Sequence, residues 1–250
     1  MGKKAIFITV RSGSTRLQDK CFLKIGFKHT IEYVIQQAKK SLKADIIVLC
    51  TTNEKSDDKL CKIAEANDIS FFRGSTNDKL ERWNSAAKQF NVDFFVTADG
   101  DDLLCSHELM DLAFDQYQLN NPDFIKSDDV ICGVFTYGIK SSALSRVCKA
   151  KKSKNTEMMW VYFADPETCD IENLQSIPHT FLKDNCDIRM TLDYEDDLIF
   201  FTNVISNISK EVDIKDAIAY IRDNPEVAKI NFYLQDAWKN NQEKNTLQPL

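Results

Sequence analysis

The sequence predicts an α/β protein in which helices cover both faces of a mainly parallel sheet. Three observations support this class. Short apolar runs rich in β-branched residues, typical of buried strands, recur through the first hundred residues. Segments with apolar residues at helical spacing lie between these runs. The 250 residues, of which 43% are hydrophobic and 28% charged, suffice to bury one large core.

The first half alternates strand and helix. Apolar runs predict strands over residues 5–10, 45–51, 69–72 and 94–98. Helical spacing predicts helices over residues 29–42, 56–67 and 78–90. This β-α-β-α-β-α-β order implies right-handed crossovers, and therefore parallel strands. Next the pattern predicts a helix, a strand and a helix over residues 106–119, 131–137 and 140–149.

The second half is less regular. Residues 151–187 combine polar stretches with the apolar MMWVYF, which indicates an excursion with a small sheet of its own. MMWVYF fits a pocket wall, a subunit interface or a buried strand. CDIRMTLDYEDDL predicts a strand ending at Asp193 and a helix from Glu195, followed by helices over 213–222 and 226–240. We expect a single domain over residues 1–250, with halves 1–115 and 116–240 and a flexible tail at 241–250.

Composition excludes several classes of protein. No run of about 18 apolar residues is present, so we expect no membrane span. The apolar run at residues 5–10 is too short for a signal peptide, so we expect a cytoplasmic location. The net charge of −6 argues against a nucleic-acid partner. Eight cysteines without a CxxC pair predict reduced thiols rather than a zinc site or a disulfide framework.

A basic loop, RSGSTRLQDK, follows the first predicted strand. In an open parallel sheet, ligands bind beyond the carboxyl ends of the strands. Gly13 and Ser14 would let the backbone approach a phosphate, while Arg11, Arg16 and Lys20 supply positive charge. The loop contains neither a Walker A pattern nor GxGxxG. It predicts a polyphosphate site, although the loop alone also fits an ordinary solvated turn.

An acidic cluster follows the fourth predicted strand, in TADGDDLL. Carboxylates beside triphosphate-binding groups are what Mg²⁺ needs, because this cation prefers oxygen ligands. We therefore predict a magnesium site formed by Asp101 and, from the late strand, Asp193. We interpret Asp102 as a turn residue or helix cap, and Asp197 likewise.

Four blocks of the sequence together resemble the cytidylyltransferase family that includes CMP-Kdo synthetases, and more closely its spore-coat polysaccharide branch. RSGSTRLQDK is similar to that family's R-x-x-S-x-R-L-P-x-K loop, and FRGSTNDKLERW to its F-R-G-S-x-x-D-V-L-x-R block. ADGDDLL and IRMTLDYEDDL are similar to its T-G-D-x-P-L and R-L-T-V-D-T-x-E-D-L blocks. The resemblance covers roughly residues 6–112 and 156–203.

The resemblance implies a Rossmann-like fold of the nucleotide-diphospho-sugar transferase type. It also implies CTP-dependent transfer to a sugar or sugar-like acid or phosphate, with release of pyrophosphate, in surface polysaccharide biosynthesis. The first half would bind the nucleotide, and the second half would bind the acceptor and form a homodimer. By position, Arg11 and Lys20 would be catalytic, and Asp101 and Asp193 would bind Mg²⁺. The implied nucleotide-binding residues are Arg11, Ser14, Arg16, Lys20, Gly74, Ser75, Asp78 and Arg82. For the last four, the resemblance implies contact with either the nucleotide or the acceptor.

Some residues depart from the family pattern. Gln18 and Asp19 replace Pro-Gly before the lysine, Asp102 adds a charge beside the metal residues, and Met158 replaces a histidine. These changes bear on the identity of the acceptor more than on the fold.

Two other functions remain open. Asp99-Gly100-Asp101 is a D-x-D, which a metal-dependent glycosyltransferase uses to bind a nucleotide sugar, but such an enzyme would not need the basic loop. A binding protein without catalytic activity is the other alternative, although Lys20, Asp101 and Asp193 are all present.

Overall fold

This computed structural model describes residues 2–178, 180–183, 187–208 and 211–246, which contain nine strands and nine α-helices. The strands are β1 (Lys3–Thr9), β2 (Lys24–Ile25), β3 (Lys28–His29), β4 (Ile46–Thr52), β5 (Ser70–Gly74), β6 (Val92–Asp99), β7 (Phe124–Lys126), β8 (Gly138–Lys140) and β9 (Ile171–Asn173). The helices are α1 (Thr30–Lys39), α2 (Asp58–Ala66), α3 (Lys79–Phe90), α4 (His107–Asn120), α5 (Ser141–Ala150), α6 (Glu195–Asn207), α7 (Ile214–Asp223), α8 (Pro225–Ala228) and α9 (Gln235–Thr246).

Seven strands form one sheet in the order β5-β4-β1-β6-β8-β7-β9, while β2 and β3 form a separate hairpin. Strand β1 pairs in parallel with β4 and β6, and β4 pairs in parallel with β5. Strand β8 is antiparallel to β6 and β7, whereas β9 joins β7 in parallel. The predicted mainly parallel sheet is therefore confirmed.

The core has two parts, one on each face of the sheet. Ile6 and Ile8 of β1 belong to a cluster that includes side chains of α1, α4, α6 and α7. Ala5 and Phe7 of the same strand belong to the other cluster, with side chains of α3 and α5. Because successive residues of a strand point to opposite faces, β1 is buried on both sides. The predicted three-layer α/β/α arrangement is confirmed.

The predicted strand over residues 131–137 is wrong. The chain there is a loop with an isolated parallel bridge between Cys132 and Arg189, and regular pairing begins only at β8. Gly133 adopts a φ of +90°, and a Cβ at this position would collide with the backbone of Met190. The predicted strand ending at Asp193 is also wrong, because residues 187–193 form no regular strand. Leu192 N instead donates to Asp101 O over 2.9 Å.

The excursion and the last helix also differ from expectation. Residues Met159–Phe163 form a 3₁₀ helix rather than a strand, and residues 171–173 join the main sheet as β9 instead of forming a sheet of their own. The helix predicted over 226–240 is broken at Asn231, whose buried side chain donates to Arg189 O and Asp197 Oδ1. Helix α9 continues to Thr246, and residues 247–250 lie outside the described residues.

Two findings on the described residues concern membrane spans and cysteines. None of their helices combines the length and the apolar character that a bilayer crossing requires. Seven cysteines, at positions 21, 50, 61, 105, 132, 148 and 169, are free thiols. Cys186 lies outside the described residues. The division of the chain into two functional halves stays a prediction.

Candidate functional site

A cleft of about 450 Å³ opens at the carboxyl ends of β1 and β6. The basic loop after β1 forms one wall, the turn after β6 forms the floor, and residues 153–162 with the end of α9 form the other wall. The polar and charged side chains that line the cleft include those of Arg11, Ser14, Arg16, Lys20, Lys79, Arg82, Asp99, Asp101, Glu157, Asn241 and Gln242. Gly100 is tightly packed here, since a Cβ on it would lie 2.6 Å from Val10 Cβ.

The basic loop is tethered by Asp57, a residue that sequence reasoning missed. Ser12 donates from N and from Oγ to Asp57 Oδ1 over 2.8 and 2.6 Å, and Thr51 Oγ1 donates to Asp57 Oδ2 over 2.9 Å. Burial works to raise the pKa of Asp57, but these hydrogen bonds outweigh it, so the pKa lies below its ordinary value. An ionised Asp57 carboxylate therefore fixes the position of Ser12, near the start of the basic loop.

Lys20 joins the two predicted metal carboxylates. Its Nζ donates to Asp101 Oδ2 over 2.6 Å and to Asp193 Oδ1 over 2.8 Å. Arg16 Nη2 lies 2.5 Å from the same Asp193 oxygen. Burial opposes the charge of Lys20, but Asp101 and Asp193 outweigh it and raise the pKa of the ammonium. Likewise, Lys20 and Arg16 overcome the burial of Asp193 and lower its pKa to about 2. We call Arg16, Lys20, Asp101 and Asp193 the Lys20 cluster.

Asp193 is fixed from behind by Arg189, which is fully buried. Arg189 Nη2 lies 3.4 Å from Asp193 Oδ2, and its Nε lies 3.1 Å from Asp197 Oδ1. Asp197 Oδ2 in turn accepts from Asp193 N over 2.8 Å. Asp197 also accepts from Tyr194 N at the start of α6. The N-cap is Tyr194, and Asp197 is the third residue of the helix, so it completes a capping box instead of being the N-cap that the sequence predicts. This network sets the position of an aspartate that no regular strand carries.

Helix α9 is held beside the cleft by contacts with Arg189. Arg189 donates from Nη1 to Gln235 Oε1 over 3.1 Å, and its guanidinium lies 5.4 Å from the ring centre of Trp238. One turn further along α9, Asn241 and Gln242 line the cleft. Both residues lie in the segment for which the sequence predicts a flexible tail, and nothing in the local pattern indicates a role for them.

The acidic floor has the chemistry of a magnesium site. Carboxylate oxygens of Asp99, Asp101 and Asp102 lie within 4.8 Å of one another, and Asp193 meets Asp101 around the shared Lys20 ammonium. Such an oxygen-only donor set fits Mg²⁺. Asp102 is more than a turn residue, because it is buried within this cluster. Burial first, and then its charged neighbours Asp101 and Asp99, hold its pKa well above the ordinary value.

Lys79 is a second missed residue of the cleft. Its Nζ lies 3.1 Å from Asp99 Oδ1 and 5.1 Å from the ring centre of Trp83. Lys79 begins α3, three residues before Arg82, so the two lie on the same helix face. That spacing was a usable signal, since Arg82 was already a candidate.

The remaining predicted nucleotide residues are placed differently. Arg82 lines the cleft, whereas Gly74, Ser75 and Asp78 do not. Asp78 caps α3 by accepting from Glu81 N over 3.0 Å, and it also contacts Thr156 Oγ1 and Lys151 Nζ. A Cβ at Gly74 would lie 2.8 Å from Phe72 Cε1 and 3.0 Å from Arg82 Cγ, so this glycine makes room for both side chains. Their predicted contact with the nucleotide stays a prediction.

Comparisons with known proteins point in one direction. A family model described as cytidylyltransferase matches residues 5–165. An uncharacterized protein of Methanocaldococcus jannaschii is 30% identical over 227 residues, 90% of this chain and 92% of that protein. The spore coat polysaccharide biosynthesis protein SpsF of Bacillus subtilis is 21% identical over 231 residues, 88% of this chain and 95% of that protein. A solved cytidylyltransferase from Leptospira borgpetersenii superposes with a TM-score of 0.82 at 28% identity, covering 91% of this chain and 97% of that one.

Proposed function

Because the chain belongs to the cytidylyltransferase family, a family of nucleotidyltransferase enzymes, we propose that it transfers cytidylyl from CTP to a sugar or sugar-like acid or phosphate. Pyrophosphate is the second product. The similarity to a spore coat polysaccharide biosynthesis protein supports surface polysaccharide biosynthesis as the process that uses the activated product.

The observation that carries the proposal is the Lys20 cluster at the mouth of the first loop. Lys20 and Arg16 place two cations in the basic loop, and ion pairs with Asp101 and Asp193 fix their positions. A triphosphate brings several negative charges to one place, and such a ligand needs both cations and metal-binding oxygens close together. A metal-dependent glycosyltransferase would also use the D-x-D motif at Asp99-Gly100-Asp101. It releases no pyrophosphate, however, so the cations of the basic loop would have no ligand in its reaction.

The reaction forms a bond between an acceptor oxygen and the α-phosphorus of CTP, and it breaks the bond from that phosphorus to the pyrophosphate oxygen. Negative charge grows on the leaving pyrophosphate. Lys20, Arg16 and Arg11 are the groups of this chain that stabilise that charge, since positioning and electrostatics dominate phosphoryl chemistry. Asp101 and Asp193, with Asp99 beside them, would hold Mg²⁺, which supplies further stabilisation of phosphoryl oxygens when bound.

Two coarser features complete the proposal. We place the enzyme in the cytoplasm and propose that it acts as a homodimer. Trp160, on the 3₁₀ helix Met159–Phe163, is 39% exposed and lies in the MMWVYF segment, for which the family resemblance favours a subunit interface.

Pyrophosphate release tests the activity. Wild type is incubated with CTP, Mg²⁺ and a panel of sugar acids, sugar phosphates and polyol phosphates, beside Lys20→Met and the control Lys24→Met. Lys24 is exposed in the hairpin strand β2. We expect pyrophosphate to be released from CTP in the presence of one acceptor class. Lys20→Met should reduce the rate of release by roughly a hundredfold to a thousandfold, whereas Lys24→Met should leave the rate unchanged. Equal rates in the two variants would contradict the role of Lys20.

A further inference from the structure

The cations of the cleft are almost all neutralised by carboxylates of the protein itself. Five basic side chains line it, namely Arg11, Arg16, Lys20, Lys79 and Arg82. Four have a carboxylate partner: Glu157 for Arg11 at 2.9 Å, Asp193 for Arg16 at 2.5 Å, Asp101 for Lys20 at 2.6 Å and Asp99 for Lys79 at 3.1 Å. Arg82 is different, because no carboxylate of the described residues lies within ion-pair distance of it.

Arg82 is also the most buried of the five cations. Its exposure is 2%, it donates from Nη1 to Ser75 O over 2.7 Å, and its Nε has no hydrogen-bond partner. Placing an unpaired guanidinium in such a position costs free energy, because burial removes water without supplying a counter-ion. Consistent with this, burial lowers the pKa of Arg82 below its ordinary value. The side chain is held ready for an anion that the protein does not provide.

The position of Arg82 separates it from the Lys20 cluster. It extends from α3, passes the end of β5 at Gly74, and shares its helix face with Lys79. The Glu157 carboxylate of the cleft works against the lowering of the Arg82 pKa, but Glu157 is already paired with Arg11. Among the described residues, no ion pair joins Arg11, Lys79 or Arg82 to Asp101 or Asp193. The cleft therefore has two cationic regions that meet at Asp99, which pairs with Lys79 and lies beside Asp101 in the candidate metal cluster. Among the described residues, Arg82 pairs with none of these carboxylates.

We propose that Arg82 binds an oxyanion of the acceptor, a phosphate ester or a carboxylate, while CTP occupies the Lys20 cluster. A planar guanidinium with free N–H groups matches a two-oxygen anion. This assignment rests on the proposed function and narrows it, since an acceptor without an anionic group would leave Arg82 uncompensated. It selects acids and phosphates from the wider class of sugar-like acceptors.

The test uses inorganic phosphate as the probe. The full-length protein is first saturated with Mg²⁺ and a CTP analogue that carries a methylene bridge between the α- and β-phosphorus atoms, which prevents turnover. Phosphate is then titrated by calorimetry into wild type, Arg82→Gln, Arg82→Lys and the control Arg73→Gln. Arg73 lies nearby on β5, but its partner is Asp58 and it does not line the cleft.

We expect phosphate to bind the loaded wild type and the Arg73→Gln control with equal affinity. Arg82→Gln should weaken phosphate at least tenfold and leave the analogue's affinity within about twofold. Arg82→Lys keeps the charge but loses the two-pronged donor geometry, so it should fall between wild type and Arg82→Gln. Thermal unfolding of each variant verifies that it is folded. If Arg82→Gln is not folded, the comparison of wild type with Arg82→Lys decides the test.

Three results would overturn the proposal. One is a loaded wild type that binds no phosphate. Another is a phosphate affinity that Arg82→Gln and Arg82→Lys leave unchanged. The third is an Arg82→Gln variant that loses the CTP analogue instead, because Arg82 would then serve the nucleotide's own phosphates. If the analogue fails to bind even to wild type, the proposed function fails, and phosphate titrated into the free protein still decides whether Arg82 binds an oxyanion.

Discussion

The two walls of the cleft are built on different principles. The wall from β1, β6 and α3 rests on a regular parallel sheet, whose strands are buried on both faces. The opposite wall comes from residues 153–162, which contain no strand, and from α9. Arg189 connects α9, through Gln235 and Trp238, to Asp193 and Asp197. The first wall is positioned by backbone hydrogen bonds and apolar packing, and the second by a buried network of charges.

This difference teaches where each wall is vulnerable. Apolar packing is spread over many side chains, so single changes in it have bounded effects. A buried charge network concentrates its free energy in a few groups, because removing one leaves the others charged and unpaired. Single substitutions should therefore destabilise the charge network more than they destabilise the regular wall.

The network around Arg189 should give the largest loss of stability. Arg189→Met would leave Asp193 and Asp197 buried without their shared cation, so the free energy of unfolding should fall by about 3–5 kcal/mol. The control is Arg146→Met, since Arg146 is 54% exposed and pairs with Asp123 at the surface. That change should cost less than about 1 kcal/mol. Urea unfolding of both variants measures the difference, and a similar small loss in both would refute the contrast between the walls.

Asp78 should matter for stability more than for the nucleotide. It caps α3 and pairs with the buried Lys151, so Asp78→Ala should lower the free energy of unfolding by about 2–3 kcal/mol. Because Asp78 does not line the cleft, the dissociation constant of CTP should change less than threefold. A large loss of CTP affinity in a stable Asp78→Ala protein would favour the original sequence-based assignment to the nucleotide.

Asp57 predicts a pH dependence in the regular wall. Its pKa is lower in the folded protein than in the unfolded chain, so it stabilises the fold above the unfolded pKa and loses this contribution as pH falls through the folded pKa. Asp57→Asn should therefore cost about 1–2 kcal/mol at pH 7, and this difference from wild type should shrink in acid. Unfolding curves of both proteins from pH 7 down to pH 3 measure it. A difference that stays constant across this range would show that the charge of Asp57 is not the cause.

Helix α9 should give the smallest effect, and it offers a matched pair. Asn241 lines the cleft, whereas its neighbour Asn240 is exposed. Loss of one amide contact to a substrate corresponds to about 1 kcal/mol, so Asn241→Ala should weaken CTP or the accepted acceptor severalfold. Asn240→Ala should weaken neither. Identical dissociation constants and KM values in the two variants would remove α9 from the site.

Much of the regular wall could be predicted from the sequence. Strands with β-branched residues and helices with apolar spacing carry their own signals, which is why β1, β4, β5 and β6 were found. The four sequence blocks also identified the cytidylyltransferase family. Arg11, Arg16 and Lys20 stood out because three basic residues follow a predicted strand at the edge where ligands bind.

The irregular wall could not be predicted in the same way. Arg189, Asn231 and Trp238 are far apart in sequence, and their contacts depend on tertiary packing that no periodic pattern encodes. Gly133 turned a predicted strand into a loop, because its positive φ and the close Met190 backbone follow from the folded chain. The unpaired state of Arg82 is likewise visible only when all neighbouring carboxylates are known.

The central claim is that the Lys20 cluster holds the triphosphate of CTP, and calorimetric titration tests it most directly. CTP, UTP, ATP and GTP are titrated with Mg²⁺ into wild type and Lys20→Ala. We expect wild type to bind CTP in preference to the other nucleotides. Lys20→Ala removes the cation between Asp101 and Asp193, so it should weaken CTP binding by roughly a hundredfold or more. Binding of a nucleoside diphosphate or nucleotide sugar in place of any triphosphate, or CTP affinity that survives in Lys20→Ala, would contradict it.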